Sequence, residues 1–162
     1  MSCNWSKIMI RHLFIILFIS IYIIGLNKHA SSQPKNLVAH GGYSFETSGQ
    51  QSATAVYISF FNNSDKNYEI QSVNTDIADK AEIHDIQIDN DIVKMKLIEK
   101  LKIGPREQIF LQPGGKHIML FGLKKKLDEG DKFFISFQVN KDTILQAEVF
   151  VVDSALKEKY IN

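Results

Sequence analysis

Four side chains of this 162-residue chain combine types and spacing suited to holding a soft metal ion: His84, Met95, His117 and Met119, arranged as His-x10-Met-x21-His-x-Met. Imidazole nitrogen and thioether sulfur together favour Cu(I) over hard, oxygen-preferring ions, because a thioether is a neutral, polarisable donor. Beyond the first 32 residues Met95 and Met119 are the only methionines, and His40 is the only other histidine. Hydrophobic demand is met by Ile, Leu, Val and Phe, so two methionines each associated with a histidine are poorly explained as core filler. Cys3 is the only cysteine. The remainder therefore has no disulfide, zinc-thiolate or blue-copper site, and metal chemistry there must use His, Met or carboxylates.

These donors need strands to position them. Short β-branched and aromatic runs occupy residues 54–61, 68–73, 81–88, 92–98, 108–111, 116–122, 132–139 and 143–152. Turn formers separate them, among them Asn62-Asn63-Ser64-Asp65, Asp89-Asn90 and Pro113-Gly114-Gly115. Runs of this length predict an antiparallel sandwich or barrel; no stretch carries a long helical period. If Asp89-Asn90 forms an even-numbered hairpin loop, cross-strand partners have numbers that sum to 179, which sets His84 directly opposite Met95. In the run Lys116 to Phe121, alternation puts His117 and Met119 on one face while Ile118 and Leu120 point to the other. His40 reads as an exposed loop residue.

Residues 1–12 carry Lys7 and Arg11 and no acid, and precede the apolar run LFIILFISIYIIGL from Leu13 to Leu26. Fourteen residues are short for a membrane span, and Ala30, Ser31 and Ser32 follow as small residues suited to cleavage. Residues 1–32 are expected to be a signal peptide or, if uncleaved, an N-terminal anchor, which would be the only membrane attachment. Cys3 lies before the apolar run, the wrong place for a lipoprotein's acylated cysteine. Residues 33–53 read as a tether and irregular first strand, 54–152 as the β-sandwich with the fold beginning near residue 37, and 153–162 as a tail. The 19 basic and 18 acidic side chains, three of the basic ones in the leader, leave no dominant basic face, which argues against nucleic acid as partner. No nucleophile elbow, His-Glu-x-x-His or phosphate loop occurs, so an enzyme is not expected.

The spacing of the four donors resembles that of the PCu(A)C family of periplasmic copper chaperones. The likeness extends over roughly residues 37–152. It includes Ala55-x-Tyr57, Asn62-Asn63, Val93-Lys94-Met95, Leu111-x-Pro113-Gly114-Gly115-x-His117-x-Met119-Leu120-x-Gly122-Leu123, and Leu127-x-Glu129-Gly130-Asp131. The resemblance implies an all-β, cupredoxin-like Greek-key β-sandwich in the periplasm. It would bind Cu(I) through His84, Met95, His117 and Met119 and deliver it for assembly of a cytochrome oxidase copper site. Implied partners are the apo copper-site subunit of the oxidase and a thiol-containing copper protein. The chain departs from relatives in having Asp85, Ile88 and Val93 where many carry further methionines, and Gly42-Tyr43-Ser44-Phe45 in place of a Trp-x-Arg-like element. The rival expectations are a periplasmic copper-sequestering protein and a metal-free β-sandwich interaction module.

Overall fold

The computed structural model describes residues 34–89, 92–141 and 143–156. The expected leader, the far end of the tail and the Asn90 position of the hairpin loop lie outside the described residues. Among the described residues ten strands follow one another: β1 (Leu37–Phe45), β2 (Ala53–Asn62), β3 (Tyr68–Asn74), β4 (Ala78–Asp89), β5 (Ile92–Leu97), β6 (Leu101–Ile103), β7 (Gln108–Leu111), β8 (His117–Leu123), β9 (Lys132–Val139) and β10 (Thr143–Val152). The three-residue strand β6 has no counterpart among the sequence runs, because Leu101-Lys102-Ile103 is too short to show alternation.

Hydrogen bonding links the strands in the order β5-β4-β8-β2-β1-β10-β9-β3-β6. Strand β2 is shared between layers: Ala53–Val56 pair with β8, and Ile58–Phe61 pair with β7. The folding of this path back on itself is visible in the core, where Phe60 of β2 meets Phe137 of β9 edge to face, ring centroids 5.0 Å apart. Both rings are fully buried, and Val56, Ile58, Ile118, Leu120 and Ile135 join them at 1% exposure or less. The architecture is an all-β sandwich. It departs from a purely antiparallel arrangement where β1 runs parallel to β10, from Gly42↔Val149 to Phe45↔Val152. These strands lie about a hundred residues apart, so no hairpin dictates their direction.

Two local features hold the strands that matter for function. Asn62, at the end of β2, is completely buried. Its Nδ2 donates to the carbonyls of Lys66 and Gly104 at 2.7 and 2.6 Å, and its Oδ1 accepts from the Ser64 amide and hydroxyl. Gly122, near the end of β8, has φ +68°, and a Cβ there would lie 2.9 Å from the Asp79 Cβ. Gly122→Ala is therefore expected to cost about 2 kcal/mol, within the usual range for a non-glycine residue held in left-handed backbone. A thermal melt should show Tm lower by roughly 5–10 °C, and an unchanged Tm would contradict the strain.

Candidate metal centre

The outward face of β4, β5 and β8 carries the four candidate residues. Ile83, Ile118 and Leu120 point into the core, which turns Glu82, His84, His117 and Met119 to the opposite face by strand alternation. The β4–β8 register pairs His84 directly with His117 and Glu82 directly with Met119. The two imidazole rings stand 6.0 Å apart between centroids at an interplanar angle of 69°. His117 is buried at 5% exposure. The side chain of His84 is 13% exposed, and its ring also lies 6.1 Å from that of Phe121.

Met95 is placed differently from the sequence expectation. His84 pairs with Leu97, and Met95 pairs with Ile86. The ladder runs to Asp89↔Ile92, so Asp89 is a paired strand residue rather than part of the turn. Cross-strand numbers consequently sum to 181. Because the shift is an even number of residues, Met95 keeps the face of His84 and becomes its diagonal neighbour. Diagonal pairs have Cβ atoms roughly 7–8 Å apart, still within reach of a long side chain. Strand β5 is the edge of the sheet, and Met95 is 62% exposed there.

Each histidine ring has one nitrogen engaged. In His117, Nδ1 lies 2.9 Å from the carbonyl of Gly115, so Nδ1–H donates and Nε2 keeps its lone pair. The turn before β8 sets this contact: Gly114 has φ +76°, and the Gly115 amide donates to the Gln112 carbonyl at 3.0 Å. In His84, Nε2 lies 3.1 Å from Glu82 Oε2, and a carboxylate can only accept. The Lys80 ammonium, 2.6 Å from Glu82 Oε1, does most to hold the Glu82 carboxyl below its usual range; partial burial opposes this, and the His84 ring adds to the lowering. His84 Nδ1 is buried and has no hydrogen-bond partner among the described residues. A buried nitrogen without a partner is costly, and a metal ion would satisfy it.

Met119 sits on β8 between Glu82 of β4 and Ala55 of β2. It lines an open cleft of about 760 Å3 with Phe45, Ala55 and Tyr57. Tyr43, Phe45 and Tyr57 form an aromatic group beside it, with centroid separations of 5.1–6.0 Å. His40 is exposed on β1 opposite Ser59, on a strand rather than in a loop. Among the described residues no three His, Cys, Asp or Glu side chains gather as a metal-holding group. An ion held by the two histidines would thus draw further donors from the methionines. Glu82 is the residue that sequence reasoning missed. The signal was available in Glu82-x-His84, the same alternate spacing that joins His117 to Met119.

A family model described as "Putative lipoprotein LpqE-like" matches residues 36–151, most of the chain. The chain belongs to the LpqE-like family. Protein RP573 of Rickettsia prowazekii (strain Madrid E) is 30% identical over 96 residues, which are 59% of this chain and 53% of that protein. The chain thus spans about half the length of this curated relative. Among solved structures, the copper-bound PCuAC domain from PmoF2 superposes with a TM-score of 0.63 at 12% identity, covering 75% of this chain and 97% of that domain. The apo PCuAC domain from PmoF1 gives 0.60 at 18% identity, with 75% and 98% covered. The Cu(I) form of DR1885 from Deinococcus radiodurans gives 0.58 at 23% identity, with 80% and 87% covered. At these identities the likeness establishes the fold: this LpqE-like chain is a cupredoxin-like β-sandwich of the PCuAC type.

Proposed function

We propose that this LpqE-like protein is an exported carrier of Cu(I), held by His84, Met95, His117 and Met119, and that it delivers the ion to the copper site of a cytochrome oxidase subunit. The observation that carries the reading is the direct pairing of His84 with His117, with a buried nitrogen on the first ring that has no hydrogen-bond partner among the described residues and the second ring anchored through Nδ1. Met119 adjoins this pair on the same face, and Met95 lies diagonally on the edge strand.

The arrangement suits carriage more than permanent storage. Four neutral donors leave the charge of the ion uncompensated, so they hold it less tightly than thiolates would. Imidazole binds only through an unprotonated nitrogen, so affinity should weaken in acid. The exposed Met95 is the donor an incoming ligand would displace first, while the buried histidines still hold the ion. A thiol-containing copper protein in the same compartment would be the natural source of reduced copper.

Loading the purified protein with one equivalent of Cu(I) under reducing conditions, then mixing it with an apo oxidase copper-site domain, tests delivery. Copper should move to the acceptor. Retention on this protein would favour sequestration, and no copper surviving gel filtration would end the metal reading. Met95→Leu should leave stability nearly unchanged, since the side chain is largely exposed, yet weaken Cu(I) binding by about tenfold, equivalent to about 1.4 kcal/mol.

A further inference from the structure

The geometry points to Glu82 as the positioning residue of the site: it holds the proton of His84 on Nε2 and so makes Nδ1 the donor of that ring, whereas His117 donates through Nε2. This inference rests on the copper reading above and deepens it. Glu82 and His84 are alternate residues of β4, so their side chains leave the same face, and Glu82 Oε2 meets His84 Nε2 at 3.1 Å. An ionised carboxylate has no proton to give, so the hydrogen between them belongs to the ring. In the neutral ring the other nitrogen, Nδ1, is then a bare lone pair, buried with no hydrogen-bond partner among the described residues.

His117 presents the mirror case. Its Nδ1–H is engaged by the Gly115 carbonyl at 2.9 Å, which leaves Nε2 as the lone pair. One ring is thus oriented by a carboxylate on its own strand, the other by the backbone of the preceding turn. Partners of this kind fix the tautomer and rotation of a liganding imidazole and raise its basicity, and their removal weakens metal binding by about 10–100-fold. Lys80 occupies the other oxygen of Glu82 at 2.6 Å, which leaves Oε2 for the ring.

Long-range 1H–15N correlation spectra of the metal-free protein should show the His84 proton on Nε2. On addition of Cu(I), the His84 Nδ1 and His117 Nε2 resonances should shift. Glu82→Ala should weaken Cu(I) binding by about 10–100-fold in chelator competition and leave His84 as a mixture of tautomers. Glu82→Gln, which keeps an acceptor oxygen, should recover most of the affinity, and Lys80→Ala should bind like wild type. Wild-type affinity in Glu82→Ala, a His84 proton resident on Nδ1, or an equal loss in Lys80→Ala would each overturn the assignment. If the wild-type protein binds no Cu(I), the copper reading fails, and the proton position in the metal-free protein still decides the role of Glu82.

Discussion

A protein in which both His84 and His117 are replaced by alanine should lose Cu(I) retention through gel filtration and show affinity at least about 100-fold below wild type, taking about tenfold for each donor. The two rings face each other across one rung of the β4–β8 ladder; His117 is buried and the His84 side chain is 13% exposed, against 62% for Met95. What remains is Met119 beside Glu82 and a Met95 that is 62% exposed on an edge strand. Two neutral thioethers held at different depths cannot replace buried imidazole nitrogens. The fold should survive, because both rings project from the face opposite Ile118, Leu120 and Ile83. Loss of the His117 bond to the Gly115 carbonyl costs about 1 kcal/mol. Circular dichroism should therefore match wild type, and unchanged Cu(I) affinity in such a folded variant would remove the histidines from the site.

Phe60→Ala should produce the largest loss of stability, about 3–5 kcal/mol in denaturant unfolding of the metal-free protein. Phe60 is completely buried and meets Phe137 at 5.0 Å with the planes 87° apart, so truncation opens a cavity and removes an aromatic pair between the layers. Against a total stability of about 5–15 kcal/mol, this is a substantial fraction. Binding of Cu(I) to the folded state alone should restore part of the loss by mass action. A loss below about 1 kcal/mol would mean that the core repacks around the gap.

Much of the architecture was legible because strand period and turn chemistry are local. Thr54 to Phe61 became the interior of β2, and Pro113-Gly114-Gly115 became the turn that enters β8. The turn that the cluster from Asn62 predicts begins one residue later, since Asn62 closes β2 as a buried, hydrogen-bonded residue. The register of the β4–β5 hairpin missed by two residues because Asp89-Asn90 and Asn90-Asp91 are equally plausible turn pairs in composition. The even shift kept Met95 on the face of His84.

The soft character of the His and Met side chains, the shared face of His117 and Met119, and the all-β class are legible in the chain alone. Each follows from side-chain chemistry or from the two-residue period of a strand. That His84 stands opposite His117, that β1 runs parallel to β10, and that Glu82 engages Nε2 while the buried Nδ1 has no partner among the described residues are visible only in the folded chain. Sequence separation is the cause. His84 and His117 lie 33 residues apart on strands that are not consecutive. Their meeting depends on which strand the core places beside β4, and no local preference carries that information.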